Sequence, residues 1–135
     1  MSFTGNLRFS RVPKALLYRQ EGSDAVFFWE YDKSDELQST TWQVYNKTQD
    51  KYVFLRIEDE NGTNLVDPAI PPAAYVGRIE KNRSALVIKN VKLEDTTSFK
   101  CTLKAKPGFA DKMSIVDLVV TGMVTVIFNI PYFLC

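Results

Sequence analysis

The side chains of this chain that could act as nucleophiles are two cysteines, Cys101 and Cys135, and the hydroxyls of serine and threonine. Such a nucleophile needs a neighbouring base, yet the 135-residue sequence contains no histidine and no G-x-S-x-G motif. Histidine is also the commonest metal ligand, so its absence removes the usual route to a catalytic metal. The sequence therefore predicts a protein that is not an enzyme and that uses no cofactor and no metal.

Two acidic runs, 32–36 and 58–60, carry oxygen atoms of the kind that calcium prefers. Neither run has the D-x-[DN]-x-[DN]-G spacing that wraps a loop around one calcium ion. We therefore interpret both runs as solvated loops.

The charge balance favours neither a nucleic acid nor an acidic membrane as a partner. Lysine and arginine number 17 against 16 for aspartate and glutamate, a net charge of +1, and the basic residues are spread along the chain.

Residues 1–14 lack the apolar core of an export signal. Residues 122–135 are apolar, but a bilayer crossing needs about 20 residues. Attachment to a membrane would therefore need an anchor that this sequence does not show.

The secondary-structure elements that the sequence predicts are short β-strands. Apolar and polar residues alternate in short runs, which buries one side of each strand, and turn residues separate the runs at intervals of about 8–12 residues. No segment has the apolar period of a helix. The sequence therefore predicts an all-β, two-sheet sandwich. Its first strand lies at 7–12 and continues at 14–20, a polar loop lies at 32–39, and the other strands lie at 25–31, 40–45, 52–58, 75–80, 84–90, 97–104 and 114–121.

The segment from Arg78 to Cys101 carries the most specific pattern. Arg78 precedes an alternating strand, Asp95 lies in the acidic turn after it, and Phe99 and Cys101 stand two residues apart on the next strand. Residues two apart on a strand point to the same side, so both should face the core. This order resembles the D, E and F strands of variable-type immunoglobulin domains. Trp42 matches the core tryptophan of strand C in the same family.

The resemblance implies a Greek-key sandwich of about nine strands, in which Arg78 and Asp95 form the ion pair that ties one end. It also implies that Trp42 and Cys101 lie in the core. Phe99 stands where the family has a tyrosine, so its ring can fill the core but no hydroxyl can reach the backbone.

Trp29 marks the largest departure from the family, because it occupies the strand-B position of the family's first core cysteine. The resemblance therefore implies that the inter-sheet disulfide is missing. Such a bridge typically contributes about 2–4 kcal/mol. A buried indole of roughly 200 Å² would offset part of that loss. Cys101 is then expected to be a buried, inert thiol.

The Trp-Glu-Tyr sequence at 29–31, with its late cysteine, is similar to divergent variable-type domains of invertebrate cell-surface receptors, including cnidarian recognition proteins. The resemblance implies an extracellular or cell-surface recognition or adhesion module with a protein partner, a second copy being one option. The resemblance implies no small-molecule substrate. In this family the sheet of strands G, F, C and C′, with its end loops, usually meets the partner. We therefore expect contacts from the loop 104–112 and from Gln43, Tyr45, Tyr52, Phe54, Lys100 and Thr102. Strand propensity, or packing beneath the C-terminal residues, would explain these aromatic side chains equally well.

Three Asn-X-Ser/Thr motifs begin at Asn46, Asn61 and Asn82. All three fall at predicted turns or strand ends, where a glycan can be accommodated. They are expected to be glycosylation sites, and they favour an extracellular location. Chance occurrence of surface asparagines is the alternative explanation.

A structural immunoglobulin-like domain of a larger intracellular or muscle-type protein is the alternative function. It explains the missing disulfide and the missing export signal directly. We expect the domain to span residues 1–121. Residues 122–135 are then an extension that packs on the sandwich, the start of a membrane stem, or sequence foreign to the mature domain, and the sequence leaves these options open.

Overall fold

The computed structural model describes residues 6–65, 71–82 and 84–122. Within these ranges the chain forms ten strands and two single-turn 3-10 helices, Ala73–Tyr75 and Leu93–Asp95. In this part of the chain no helix is long and apolar enough to span a membrane. The predicted all-β class is confirmed. The strands are β1 (Phe9–Arg11), β2 (Leu16–Gln20), β3 (Ala25–Phe28), β4 (Glu30–Tyr31), β5 (Leu37–Asn46), β6 (Lys51–Asp59), β7 (Ile79–Asn82), β8 (Ala85–Ile88), β9 (Thr97–Ala105) and β10 (Lys112–Thr121).

The strands form two main layers. The first is a five-stranded sheet in the order β2-β10-β9-β5-β6, and the second is a three-stranded sheet in the order β3-β8-β7. A short ribbon pairs β1 with β4. Within the five-stranded sheet, β10 runs antiparallel to β9 but parallel to β2. The two layers pack face to face as the two-sheet sandwich that the alternating pattern predicts.

The core lies between the two layers and is built from the inward positions of each strand. In β9 these are Phe99, Cys101 and Leu103, and each of them is fully buried. The Phe99 ring lies against Phe27 of the opposite sheet, with 5.0 Å between ring centroids. The period-two burial of β5, β9 and β10 follows the pattern of the sequence, because successive strand side chains point to opposite faces.

Three predicted limits differ from the structure by more than two residues. The predicted strand 25–31 is interrupted at Trp29 and becomes β3 and β4. The predicted strand 75–80 begins too early, because residues 73–75 form a 3-10 turn after two prolines and β7 starts at Ile79. The predicted polar loop 32–39 is too long, since β5 already begins at Leu37.

The N-terminal segment changes layers at Pro13. Before it, β1 pairs with β4, and after it, β2 pairs with β10 of the five-stranded sheet. The expectation that 14–20 merely continues the first strand is therefore wrong. Proline lacks an N–H donor and ends the first ladder, which frees the chain to cross to the other layer. Residues 123–135, most of the predicted apolar extension, lie outside the described residues.

Candidate protein-interaction face

The solvent side of the five-stranded sheet, called the outer face below, is where the structure brings together the six predicted contact residues. In β5, Gln43 and Tyr45 alternate with the buried Trp42 and Val44, and the same alternation turns their neighbours on β6 and β9 outward. Phe54 is exposed, whereas the other five are half-buried. The outward residues of adjacent strands are close enough to form one continuous surface. The six are Gln43, Tyr45, Tyr52, Phe54, Lys100 and Thr102.

The centre of the outer face is ordered by contacts between strands. Gln43 lies in register between Lys100 of β9 and Phe54 of β6. Tyr45 and Tyr52 pack edge to face, with ring centroids 5.3 Å apart. The Lys100 ammonium lies 4.0 Å from the centroid of the Tyr52 ring, a cation–π contact. These contacts hold the side chains of the outer face in place.

Four further apolar residues of the outer face were missed by the sequence analysis. Tyr18 of β2 is 59% exposed and Met113 of β10 is 58% exposed. Leu16 and Ile115 on the same two strands are also exposed. The sequence did indicate the two residues of β10, because Met113 and Ile115 lie an odd number of positions from the inward Val116 and therefore point outward. No such signal exists for β2, since pairing with β10 decides which side of that strand is outward.

The predicted contact loop 104–112 lies at one end of the outer face. Its turn is closed by the Phe109 N–H, which donates to the Lys106 carbonyl at 3.1 Å, and by the Ala105 N–H, which donates to Asp111 Oδ1 at 2.8 Å. The Phe109 side chain is exposed at the tip. The loop therefore presents one more aromatic residue beside the sheet surface.

The Arg78–Asp95 ion pair lies at the opposite end of the sandwich and is bidentate. Arg78 Nη1 donates to Asp95 Oδ2 at 2.8 Å and Nη2 donates to Oδ1 at 3.1 Å. The Asp95 side chain is 4% exposed and that of Arg78 is 13% exposed. Arg78 also donates to the carbonyls of Ala74, Lys89 and Asn90. The pair thus joins three segments of the chain.

Asp95 stays ionised despite its burial. Burial alone would raise the pKa of its carboxyl, but the hydrogen bonds from Arg78 and from the Lys92 N–H outweigh that effect and leave the pKa below its ordinary value. Burial, together with the same carboxylate, raises the pKa of the Tyr75 hydroxyl. The Asp95 carboxylate is thus buried and bonded on both oxygens by groups of the protein itself.

The indole of Trp29 lies in the core, where it joins the two sheets. Trp29 is 1% exposed, and its Nε1 donates to Ser114 Oγ of β10 at 3.0 Å. Its ring packs against Phe27 at 5.3 Å between centroids. Trp42 is equally buried, with the Lys81 ammonium 5.2 Å from its ring centroid. An indole therefore links the layers at the strand-B position where the family resemblance places a cysteine.

Cys101 is a free, fully buried cysteine. Burial raises the pKa of its thiol, so the nucleophilic thiolate is rare in the folded protein. Iodoacetamide should therefore alkylate Cys101 more than about tenfold more slowly in the native protein than in urea. Mass-spectrometric quantification of the Cys101 peptide tests this, and native labelling as fast as denatured labelling would contradict it.

A polar layer lies between the sheets at the end that carries the loop 104–112, and it corrects one interpretation of the sequence. Glu58 is 5% exposed and pairs with Arg56 at 2.7 Å, so the first residue of the acidic run 58–60 is not solvated. Thr40 Oγ1 donates to the Tyr31 hydroxyl at 2.9 Å in the same region. Burial lowers the pKa of Lys81 beside them. The sequence could not reveal this layer, because the alternation of side chains along a strand leads one to expect apolar residues at the inward positions.

The three sequon asparagines lie on turns or at strand ends. Asn61 and Asn82 are exposed at the end of the sandwich near the loop 104–112. Asn46 is half-buried at the opposite end, where its Oδ1 accepts the Gln49 N–H at 3.0 Å. Gly62, after Asn61, has a φ of +82°, which suits the turn. Within 6–65, 71–82 and 84–122, no group of three or more His, Cys, Asp or Glu side chains could hold a metal ion.

Comparison with solved structures identifies the fold. Murine CRIg matches with a TM-score of 0.66 and 18% identity, covering 87% of this chain and 99% of the other. The two tandem V-type regions of VCBP3, a v-region-containing chitin binding protein, match with a TM-score of 0.61 and 19% identity, covering 88% of this chain and 47% of the other. This chain thus spans about half of that two-region protein.

A third similar structure is that of the extracellular domains of the voltage-gated sodium channel beta4 subunit, which form parallel homodimers. It matches with a TM-score of 0.57 and 12% identity over 81% of this chain and 92% of the other. No protein-family model matches the sequence, and neither does any curated protein. At these identities the likeness shows the fold, a variable-type immunoglobulin-like sandwich, and function has to be argued from the surface.

Proposed function

We propose that this chain is an extracellular recognition or adhesion module of a cell-surface or secreted immunoglobulin-superfamily protein, and that it binds a protein partner through the outer face and the loop 104–112. The observation that carries the proposal is the concentration of exposed apolar side chains on one sheet. Among the described residues, Leu16, Tyr18, Phe54, Met113 and Ile115 are exposed there. Exposed apolar side chains that cluster on one face of a domain mark interaction sites.

The composition of the outer face fits a protein partner. Tyrosine, phenylalanine and methionine are enriched at the centre of protein–protein interfaces, and charged residues are depleted there. Tyr45 and Tyr52 are held by mutual packing, so little side-chain entropy is lost when they are covered. The face of a five-stranded sheet also offers the large surface that a folded partner needs, rather than the concave pocket of a small-molecule site.

The structural neighbours support the same class of function. The homodimers of the beta4 subunit are described as explaining its role in cell-cell adhesion. CD84, whose structure is described as an insight into SLAM family function, matches with a TM-score of 0.57 and 13% identity over 80% of this chain and 97% of the other. For this chain we propose the same kind of role, in a domain that spans residues 1–121. We also propose that it is similar in function to recognition receptors of invertebrates, including cnidarians.

The matched phenylalanines Phe54 and Phe28 provide the test. Phe54 of the outer face is 37% exposed, and Phe28 of the three-stranded sheet is 38% exposed. The purified, tetramerised domain is screened pairwise against a library of secreted and cell-surface ectodomains that includes the domain itself. We expect Phe54→Ala to weaken the interactions found by about tenfold or more, as for an aromatic anchor, and Phe28→Ala to leave them within about threefold.

Two results would contradict this function. One is the reverse pattern, in which Phe28→Ala weakens binding and Phe54→Ala does not. The other is a screen that finds no partner although circular dichroism shows that the domain is folded.

The intracellular alternative is supported by one observation, the free buried Cys101 in place of an inter-sheet disulfide. Expression in a secretory host separates the two functions. We expect glycans on Asn46, Asn61 and Asn82, each removed by its own Asn→Gln change and each detected by intact-mass analysis. Export with all three sequons unoccupied would favour a structural domain of a larger intracellular protein.

A further inference from the structure

Two charges stand among the apolar and uncharged polar residues at the centre of the outer face. Lys100 lies on β9 and Asp117 on the adjacent β10, both pointing outward. Ile115 is in register with Lys100, and Leu16 is in register with Asp117, so each charge is flanked by an exposed apolar side chain. Charged residues are depleted at interface centres unless the partner neutralises them. This pair therefore carries information about the partner.

Neither charge has an ion-pair partner within the described part of the chain. The Lys100 ammonium rests on the Tyr52 ring, and Asp117 accepts a hydrogen bond from the Ser98 hydroxyl. Asp117 is in register with Ser98, two residues from Lys100. The two residues are thus diagonal neighbours, roughly 7–8 Å apart. Each contact orients its charge and leaves it unneutralised.

We propose that the partner of the outer face is a second copy of this chain, placed by a two-fold axis that sets Asp117 of each copy against Lys100 of the other. This inference rests on the proposed function. A two-fold interface repeats every contact, so one cation and one anion on a surface neutralise each other twice when the axis bisects the line between them. Both charges then meet the opposite sign without any change in the fold.

The surroundings favour this pairing with a second copy. The apolar side chains beside each charge would exclude water from both ion pairs, which strengthens them relative to exposed pairs. The net charge of +1 means that two copies do not repel each other over long range. A partner with a strongly charged surface would instead leave either Lys100 or Asp117 facing a like charge, which is costly.

Charge reversal provides a test that only the reciprocal pairing passes. Lys100→Asp sets two carboxylates against each other at both repeats of the contact, and Asp117→Lys sets two ammonium groups together in the same way. We expect each variant alone to dimerise about tenfold or more weakly than the unchanged chain in sedimentation-velocity ultracentrifugation. In a 1:1 mixture of the two variants, the mixed dimer has one contact between two introduced charges of opposite sign and one between the two original charges. Both contacts are therefore attractive, and the mixed dimer should form within about threefold of the original affinity.

Lys47→Asp is the matched control, since Lys47 is exposed in the β5–β6 turn and undergoes the same charge change. Lys47→Asp alone should dimerise like the unchanged chain. Mixed with Asp117→Lys, it retains one lysine–lysine contact and should not restore full affinity. Circular dichroism checks that each variant is folded, and the chain carrying both Lys100→Asp and Asp117→Lys should again dimerise with itself.

Three outcomes overturn the inference: a strictly monomeric unchanged chain, single variants that dimerise normally, or a Lys100→Asp and Asp117→Lys mixture that stays monomeric. Each of these leaves the proposed function testable, because the ectodomain screen with Phe54→Ala reports binding to other proteins. Absence of dimerisation together with binding in that screen would assign the outer face to a different protein.

Discussion

Replacement of Asp95 by alanine is expected to lower the free energy of unfolding by about 3–5 kcal/mol. The change removes the partner of a guanidinium that is 13% exposed, so the Arg78 charge stays buried and uncompensated. It also removes the acceptor of the Lys92 N–H at 2.8 Å in the turn before β9. Urea denaturation followed by tryptophan fluorescence measures the difference.

The exposed ion pair between Lys89 and Glu80 supplies the control. Their side chains are 45% and 59% exposed, at a distance of 3.4 Å. Glu80→Ala should change the free energy of unfolding by less than about 0.5 kcal/mol, because solvent screens exposed pairs. Equal effects of Asp95→Ala and Glu80→Ala would show that burial of the Arg78 pair contributes nothing.

The Arg78–Asp95 pair makes the free energy of unfolding depend on pH in one direction. The pKa of Asp95 is lower in the folded protein than its ordinary value of 3.8, so the unfolded chain binds the proton more readily. The stabilisation from the ionised Asp95 carboxylate is complete at neutral pH and starts to decline near the ordinary pKa. It disappears as the pH falls through the pKa that Asp95 has in the folded protein. The stability difference between the unchanged chain and Asp95→Ala should therefore narrow on acidification below about pH 4.

Replacement of Trp29 by alanine is expected to cost about 3–5 kcal/mol, the usual range for removal of a buried tryptophan. The indole is 1% exposed and packs on Phe27, so its loss opens a cavity in the centre of the sandwich. The hydrogen bond to Ser114 Oγ is lost as well. Because Cys101 is free, no disulfide from it holds the two sheets together at this level, and the indole packing has that role.

Two variants isolate the cause of the Trp29 effect. Trp29→Phe keeps a ring in the core but loses the N–H, and should cost less than the alanine change. Phe28→Ala alters the neighbouring residue, which is 38% exposed, and should cost less than about 1 kcal/mol. A Trp29→Ala protein as stable as Phe28→Ala would refute the role of the indole in joining the sheets.

The strand pattern was readable from the sequence because it is local. Alternation in β9 and β10 marks Phe99, Cys101, Val116 and Leu118 as inward, and all four are buried. That alternation needs no knowledge of the neighbouring strand, since the pleat sets the direction of each side chain. The predicted strand 75–80 failed where two prolines precede it, because local turn chemistry overrode the apolar pattern.

The outer face was only partly predictable, for the opposite reason. Gln43 and Phe54 were expected on it, but Tyr18 joins them only because β2 crosses at Pro13 and pairs with β10. The polar layer around Glu58 was also missed. It depends on the register shift in the β5–β6 ladder near Trp42 and on the opposite sheet, neither of which leaves a periodic trace in the sequence.

By itself, the sequence determined the all-β class and the inward side of most strands, because the two-residue pleat is a local property. Only the tertiary structure decided that an indole hydrogen-bonded to Ser114 spans the sheets, and that Lys100 and Asp117 become diagonal neighbours on one open surface. Those features depend on which distant strands pair and in which register. Pairing and register follow from the packing of the whole sandwich, which no single segment encodes.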